Sequence, residues 1–313
     1  MPKFRAATVG IVGRTNAGKS TLINKLVGEK ISIVSPIVQT TRSTVRGFYA
    51  DSRGQLLFLD TPGLHQAQTA LGTLINRAAR NSASSADITL ILADASHEPQ
   101  IEDEGWFNRL KKLETPWVVA LNKSDSVRFN PEPFKKLLEG ERPREPLEGE
   151  APTSRTPDKS PCEPLHISAE TGAGLDALLE KLFELAPETD TPLFDPEDVT
   201  DHPRKLAIAD TLREKLLAKL HDEVPHEVAV MVDGIEEHAP DNWTVHASII
   251  VNRFTQKGMV IGEKGRTLRY VKRQAQPEIE KAFGLKNSEL DLFVKVEKNW
   301  MKNFFLLRQL GYA

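Results

Sequence analysis

Residues 8–12, Thr-Val-Gly-Ile-Val, form an apolar run that leads directly into Gly13-Arg14-Thr15-Asn16-Ala17-Gly18-Lys19-Ser20. The spacing GxxxxGKS, between a predicted strand and a helix predicted over 19–27, leaves few folds open. It asks for a buried strand, a glycine turn, and a helix whose first amides point back into the turn. Such a loop directs backbone N–H groups inward and adds the partial positive charge of a helix N-terminus, which suits a phosphate chain. In that chemistry Lys19 bridges the β- and γ-phosphates and Ser20 ligates Mg²⁺. Asn16, Ala17, Gly18 and Thr21 complete the expected phosphate contacts.

The chain around the loop reads as a sheet protein. Residues 44–50 and 55–60 look like two strands joined by the turn Asp51-Ser52-Arg53-Gly54. Apolar runs at 88–93, 116–121 and 165–167 are further strands, with helical patterns at 70–83, 102–113 and 174–185. This alternation predicts an α/β domain, a mostly parallel sheet flanked by helices with right-handed crossovers. Residues 140–164 break the pattern with six prolines (143, 146, 152, 157, 161 and 164). That composition cannot bury a core and predicts a mobile insert. Residues 186–203, rich in Pro, Asp and Thr, read as an interdomain linker.

After about 204 the order changes. A helix is predicted over 206–220, strands near 227–236 and 243–251, a loop and helix over 259–283, and a strand over 289–296. This α-β-β-α-β order predicts a smaller α+β domain with a three-stranded sheet. The expected division is 1–186 for the nucleotide domain, 187–203 for the linker and 204–313 for the second domain. A length of 313 residues fits two domains. The single cysteine, Cys162, rules out an internal disulfide and argues against a cysteine zinc cluster. No apolar run reaches the roughly 20 residues a membrane span needs. The N-terminal Met1-Pro2-Lys3-Phe4-Arg5 has no signal-peptide core. A cytoplasmic, soluble protein is the expectation.

Asn122-Lys123-Ser124-Asp125 chooses the base. It follows an apolar strand, where ligands bind in open α/β sheets. A carboxylate at Asp125 accepts from both the ring N–H and the exocyclic amine of guanine, a donor pair that adenine lacks. Asn122 supports the phosphate loop and base, and the Lys123 stem covers the base face. Asp60-Thr61-Pro62-Gly63 ends a strand; Asp60 is placed to hold Mg²⁺ through water, and the Gly63 amide to reach the γ-phosphate. Within Gln39-Thr40-Thr41-Arg42, a hydroxyl at Thr41 completes the Mg²⁺ shell only with GTP bound. Ser168-Ala169-Glu170 offers backbone N–H groups to the guanine oxygen. The catalytic set is thus Lys19, Thr41 and Gly63.

These five stretches, in this order, resemble the translation-factor-like GTPases. The resemblance implies GTP hydrolysis, slow without a partner, because Leu64 stands where many relatives place a water-orienting Gln. In one branch with a hydrophobic residue there, the position of Asn16 helps bind K⁺, which supplies charge in place of an arginine finger. The alternative for Asn16 is a hydrogen bond that stabilises its own turn.

The second domain carries another glycine loop, Gly262-Glu263-Lys264-Gly265, after Met259-Val260-Ile261. Glycines at both ends of the turn let a sugar–phosphate backbone approach. Residues 253–273 hold seven cations (253, 257, 264, 266, 269, 272 and 273) against one acid, Glu263. The whole chain has a net charge of −3, so any nucleic-acid face must be local, and this is such a patch. The element order with Gln256-Lys257-Gly258-Met259-Val260-Ile261 looks like a type II KH domain, which clamps about four nucleotides of single strand along its GxxG loop. RNA is the expected ligand, with Arg253, Lys257, Val260, Ile261, Gly262, Glu263, Lys264, Gly265, Arg266 and Arg269 as the contact residues.

A GTPase domain followed by one KH domain is similar to the bacterial ribosome-assembly GTPases. Further carriers are Arg213-Glu214-Lys215, Val294-Lys295-Val296, Trp300 and Gly311-Tyr312. The resemblance implies a monomer that binds GTP or GDP, Mg²⁺ and K⁺. It also implies binding near the 3′ end of 16S ribosomal RNA, action on the 30S subunit, and peripheral contact with the inner membrane in some members. Gln276 departs from the Arg that many members carry nearby, and no amphipathic segment argues for the membrane independently. Two rivals stand beside this reading. One is a metabolic phosphate-loop enzyme; the other is a membrane-associated signalling GTPase whose C-terminal domain binds protein.

Overall fold

The computed structural model describes residues 4–34, 45–60, 86–110, 113, 115–139, 163–196, 198–220 and 224–312. The predicted helix at 70–83 and nearly all of the proline-rich insert lie outside these residues. In the N-terminal unit, β1 (Arg5–Val12), β3 (Gly54–Asp60), β4 (Ile88–Asp94), β5 (Trp117–Asn122) and β6 (Leu165–His166) run parallel. Only β2 (Val45–Asp51) is antiparallel, because the tight turn to β3 is too short for a crossover. The strand order is β2-β3-β1-β4-β5-β6. All seven residues of β4 are buried, as a central parallel strand covered on both faces requires.

Helices α1 (Lys19–Val27) and α4 (Leu175–Leu185) pack Leu22, Ile23, Leu178 and Leu182 against one face. Helices α2 (Ile101–Leu110) and α3 (Glu132–Glu139) pack Trp106, Phe107 and Phe134 against the other. The loops at the C-terminal ends of β1, β3, β4, β5 and β6 therefore gather at one edge, and every guanine-site stretch among the described residues lies there.

The run expected to be a linker is laid along the sheet. Phe194 stacks on Phe48 at 4.5 Å, and the Gln55 side chain accepts from Leu193 N–H and donates to Phe194 O. Phe48 N–H donates to Val199 O, and Arg46 pairs with Asp201 at 2.7 Å. Composition marked this run as a linker, and a few of its side chains suffice to cover the exposed edge strand β2.

The second unit has α5 (Arg204–Leu217), β7 (Val228–Ala239), β8 (Asn242–Val251), α6 (Phe254–Ile261), α7 (Arg266–Phe283), β9 (Asn287–Val296) and α8 (Phe304–Gln309). β7 and β8 pair antiparallel, β8 and β9 parallel. The helices α5 and α7 cover one face, while Trp300, Leu306, Leu307, Leu310 and Tyr312 cover the far one around Ala229 and Ile250. Helix α6 corrects the predicted order to α-β-β-α-α-β. Gln256 and Val260, one turn apart, are buried, and the Gln256 side chain starts the helix by accepting from Asn252 and Arg253 N–H.

The two units meet near the nucleotide edge. Lys30 Nζ reaches Glu214 Oε1 at 2.7 Å and Glu278 Oε2 at 2.8 Å, and Val34 N–H donates to Glu214 Oε2. Among the described residues no helix is long and apolar enough to cross a membrane.

Candidate functional site

One side chain ties the nucleotide loops together. Asn122, at the end of β5, donates from Nδ2 to Ala17 O at 2.8 Å and accepts at Oδ1 from Ala169 N–H at 2.9 Å. It packs so closely that a Cβ on Gly18 would lie 2.3 Å from Asn122 Nδ2, and Gly18 sits at φ 96°, where only glycine is comfortable. The phosphate loop is thus clamped to the end of β5 and to the loop after β6. Ser168 N–H is engaged by Ala173 O and Ala169 N–H by Asn122, so of the three donors expected for the guanine oxygen only that of Glu170 is left. In this arrangement Ser168 and Ala169 brace the loop.

Lys19 is 6% exposed, and its Nζ rests on Gly13 O at 3.1 Å and Arg14 O at 2.8 Å. Burial lowers its pKa to about 8, against the pull of Asp60 and Asp103. Thr21 follows on α1, and exposed Asn16 holds the left-handed region at φ 62°. Asp60 is fully buried at the end of β3. Its Oδ2 accepts from Ser20 Oγ at 2.8 Å and Ser32 Oγ at 2.6 Å, while its Oδ1 has no partner among the described residues. Burial pushes its carboxyl up, opposed by the two hydroxyls and Lys19. A buried carboxylate oxygen without a donor, beside a serine hydroxyl, fits a hard divalent cation. Thr41, Gly63 and Leu64 lie outside the described residues.

Lys123 is held rather than free. Its backbone takes φ 67°, and its Nζ bonds Asp94 Oδ2 at 2.6 Å. Burial pushes the Asp94 carboxyl up, but bonds from Lys123 and Ser96 outweigh that and leave it below the usual range. Asp125, exposed one turn on, makes no bond among the described residues. Three residues here have no sequence motif of their own: Asp94, Ser32, and Asp103, which is buried 3.7 Å from Arg14 of the phosphate loop. Only Ser32 left a trace. Asn24 is an unfavourable residue inside α1, and its amide holds the turn at Ile31 and Ser32.

In the second unit Gly262 takes φ 73°, and a Cβ there would meet Thr267 Oγ1 at 2.4 Å. Glu263, Lys264, Arg266 and Arg269 are exposed, and Arg269 Nη1 donates to Lys264 O at 2.5 Å across Gly265. Arg253 is exposed and Lys257 and Ile261 half-buried. Val260 is completely buried, so it belongs to the core and not to the contact face; helical twist puts Met259 outside instead. Beside α7 an open groove is lined by Lys219, Arg266, Arg269, Lys272 and Arg273, with Lys219 Nζ 4.3 Å from the Tyr270 ring. Lys219 comes from the turn just after α5 and extends the patch beyond the run of cations in the sequence. Gln276 turns aside to Glu280.

A family model described as "50S ribosome-binding GTPase" matches residues 8–123, and a KH domain model matches residues 223–301. GTPase Era of Halothermothrix orenii is 36% identical over 310 residues, 99% of each chain. GTPase Era of a Geobacter species is 36% identical over 311 residues, 99% of this chain and 98% of that one. The crystal structure of Era in complex with MgGDPNP and nucleotides 1506–1542 of 16S ribosomal RNA superposes at a TM-score of 0.87, with 32% identity over 99% of both chains. A variant of Aquifex aeolicus Era bound to GDP and AlF4⁻ gives a TM-score of 0.87 and 32% identity over 99% of this chain and 100% of that one. The phosphate loop and Asn122-Lys123 fall within the first matched stretch, the basic GxxG loop falls within the second, and the likeness to Era runs end to end: the chain belongs to the Era family of GTPases.

Proposed function

We propose that the chain is a GTP-driven switch that binds the 3′ region of 16S ribosomal RNA through its KH unit and acts in assembly of the 30S subunit. The carrying observation is the full-length likeness to an Era structure that holds both MgGDPNP and nucleotides 1506–1542 of 16S ribosomal RNA. Residues 1–186 serve as the nucleotide domain and 204–313 as the RNA domain.

In the nucleotide domain, Lys19 gives its ammonium to the β- and γ-phosphates in place of the two carbonyls it rests on. Asp125 accepts from guanine, and the backbone of Ser168-Ala169-Glu170 offers N–H groups to its oxygen. The Gly63 amide meets the γ-phosphate. Ser20, Asp60 through water, and Thr41 would hold Mg²⁺, which supplies positive charge against the phosphate oxygens when bound. Asn16 either steadies its own turn or takes K⁺, and hydrolysis compared in potassium and sodium at equal ionic strength separates the two. The path to the RNA domain is short. Lys30 and Val34, just before the segment that carries Thr41, are bonded to Glu214 on α5. A ligand that changes that segment changes RNA affinity, and RNA changes nucleotide affinity by the same factor.

Co-sedimentation with 30S subunits in a GTP analogue and in GDP tests the reading. Nucleotide-dependent association is expected. Association with neither subunits nor 16S RNA in either state would reject it.

A further inference from the structure

Phe254 opens α6 with 79% of its surface exposed, and among the described residues no ring or cation stacks on it. Its surroundings are basic. Arg253 precedes it with a side chain 70% exposed, Lys257 follows, and Lys298 and Lys302 are exposed on the segment packed beside it. That segment is fixed in place, since Asn299 N–H donates to Asn252 Oδ1 at 2.7 Å and Glu297 N–H to Val251 O at 2.9 Å. Residues 252–257 and 297–305 contain four cations and one acid, Glu297. Glu227, underneath, is taken up by Arg253 and Gln256.

The ring and the GxxG loop stand at the two ends of α6. Helix α6 rises about 12 Å from Phe254 to Gly262, on the order of three or four stacked nucleotides at 3.4 Å each. Halfway, Gly258 has no atom within 4 Å of where a Cβ would stand, so that turn offers its backbone to the path.

We propose that Phe254 is a base-stacking platform for the single strand held at the GxxG loop, with Arg253, Lys257, Lys298 and Lys302 neutralising the phosphates on either side of the stacked base. A ring holds any nucleobase by its face, without reading its edge. The inference rests on the RNA reading of the GxxG face, and its test is built to fail separately.

The full chain, Phe254→Ala, Phe254→Trp and the double variant Lys264→Glu with Arg266→Glu are titrated with nucleotides 1506–1542 of 16S ribosomal RNA across a salt series. Binding to anionic phospholipid vesicles is measured alongside. Phe254→Ala is expected to lose about fivefold to a hundredfold in RNA affinity, with the slope of log affinity on log salt unchanged and thermal unfolding unmoved. Phe254→Trp should restore the affinity. The double variant should lose both affinity and slope. Phe254→Ala binding RNA like the parent, Trp failing to restore it, or a loss seen only on vesicles overturns the stacking role while leaving the GxxG face intact. A double variant that binds like the parent overturns the RNA face, and the platform with it.

Discussion

The two glycine loops use the same residue types in opposite ways. In the phosphate loop the cation is inside: Lys19 is 6% exposed, rests on its own loop's carbonyls, and the loop is pinned by Asn122. In the GxxG loop the cations are outside, and one bond from Arg269 to the Lys264 carbonyl braces the turn. A buried charge acts through a low local dielectric, so its contribution is large, geometry-dependent and little touched by salt. An exposed charge is screened within about 10 Å at 0.1 M salt, so its contribution is small per residue and salt-dependent. The difference suits the ligands. A nucleotide brings a fixed number of atoms into one cradle, whereas a strand lies across a surface.

The largest expected effect tests the pinning. Asn122→Ala leaves the Ala17 carbonyl and the Ala169 N–H without partners at a buried site, at roughly 1–3 kcal/mol each. GTP affinity by calorimetry should fall by about a hundredfold or more, with RNA affinity nearly unchanged. A drop of less than about fivefold would mean that the loop holds its shape without the clamp.

Reversing charge at the second loop comes next. Lys264→Glu with Arg266→Glu should weaken RNA binding by tenfold or so and lower the salt slope by about 0.7 for each phosphate of the single strand that is no longer neutralised. GTP affinity should stay put. A slope that does not change would show these cations to be solvated only, and the comparison would then concern one site and a bare surface.

How far the chain could be read without its structure follows the same division. The β4 run Ile88–Asp94 and the helix Lys19–Val27 were legible because their patterning is local. Helix α6 was not, since eight residues with Gly258 in the middle and Met259-Val260-Ile261 at the end look like a strand-like floor. The 187–203 run was legible as polar and proline-rich, but its stacking of Phe194 on Phe48 is a contact across 146 residues that no local pattern records. Within the site, the motif residues announced themselves. Their partners Asp94, Asp103 and Ser32 did not, because each is defined by what it touches in space.

A smaller effect separates the loops by pH. Lys19 in the free protein titrates near 8, and bound phosphates favour its charged form. Nucleotide affinity is therefore highest below that value and is lost as pH rises through it. Between about pH 7 and 8.5 the charged fraction falls about fourfold, and affinity should follow. A flat nucleotide profile over that range would place Lys19 outside the phosphate contacts.

The smallest effect concerns the acid beneath the phosphate loop. Ser32→Ala removes one of two hydroxyl donors from the fully buried Asp60 while Ser20 keeps the other. The nucleotide-free protein should lose about 1.5 kcal/mol of stability, the lower end for one hydrogen bond to a charged group, since Ser20 still serves the carboxylate. With Mg²⁺ and GDP present the loss should shrink, because a cation at Asp60 satisfies the charge that Ser32 helps to satisfy in its absence. Thermal unfolding of parent and variant, each with and without Mg²⁺ and GDP, reads this directly. An equal loss in both conditions would mean that the unpartnered Asp60 oxygen is not where the cation acts, and that the buried loop is organised around Lys19 alone.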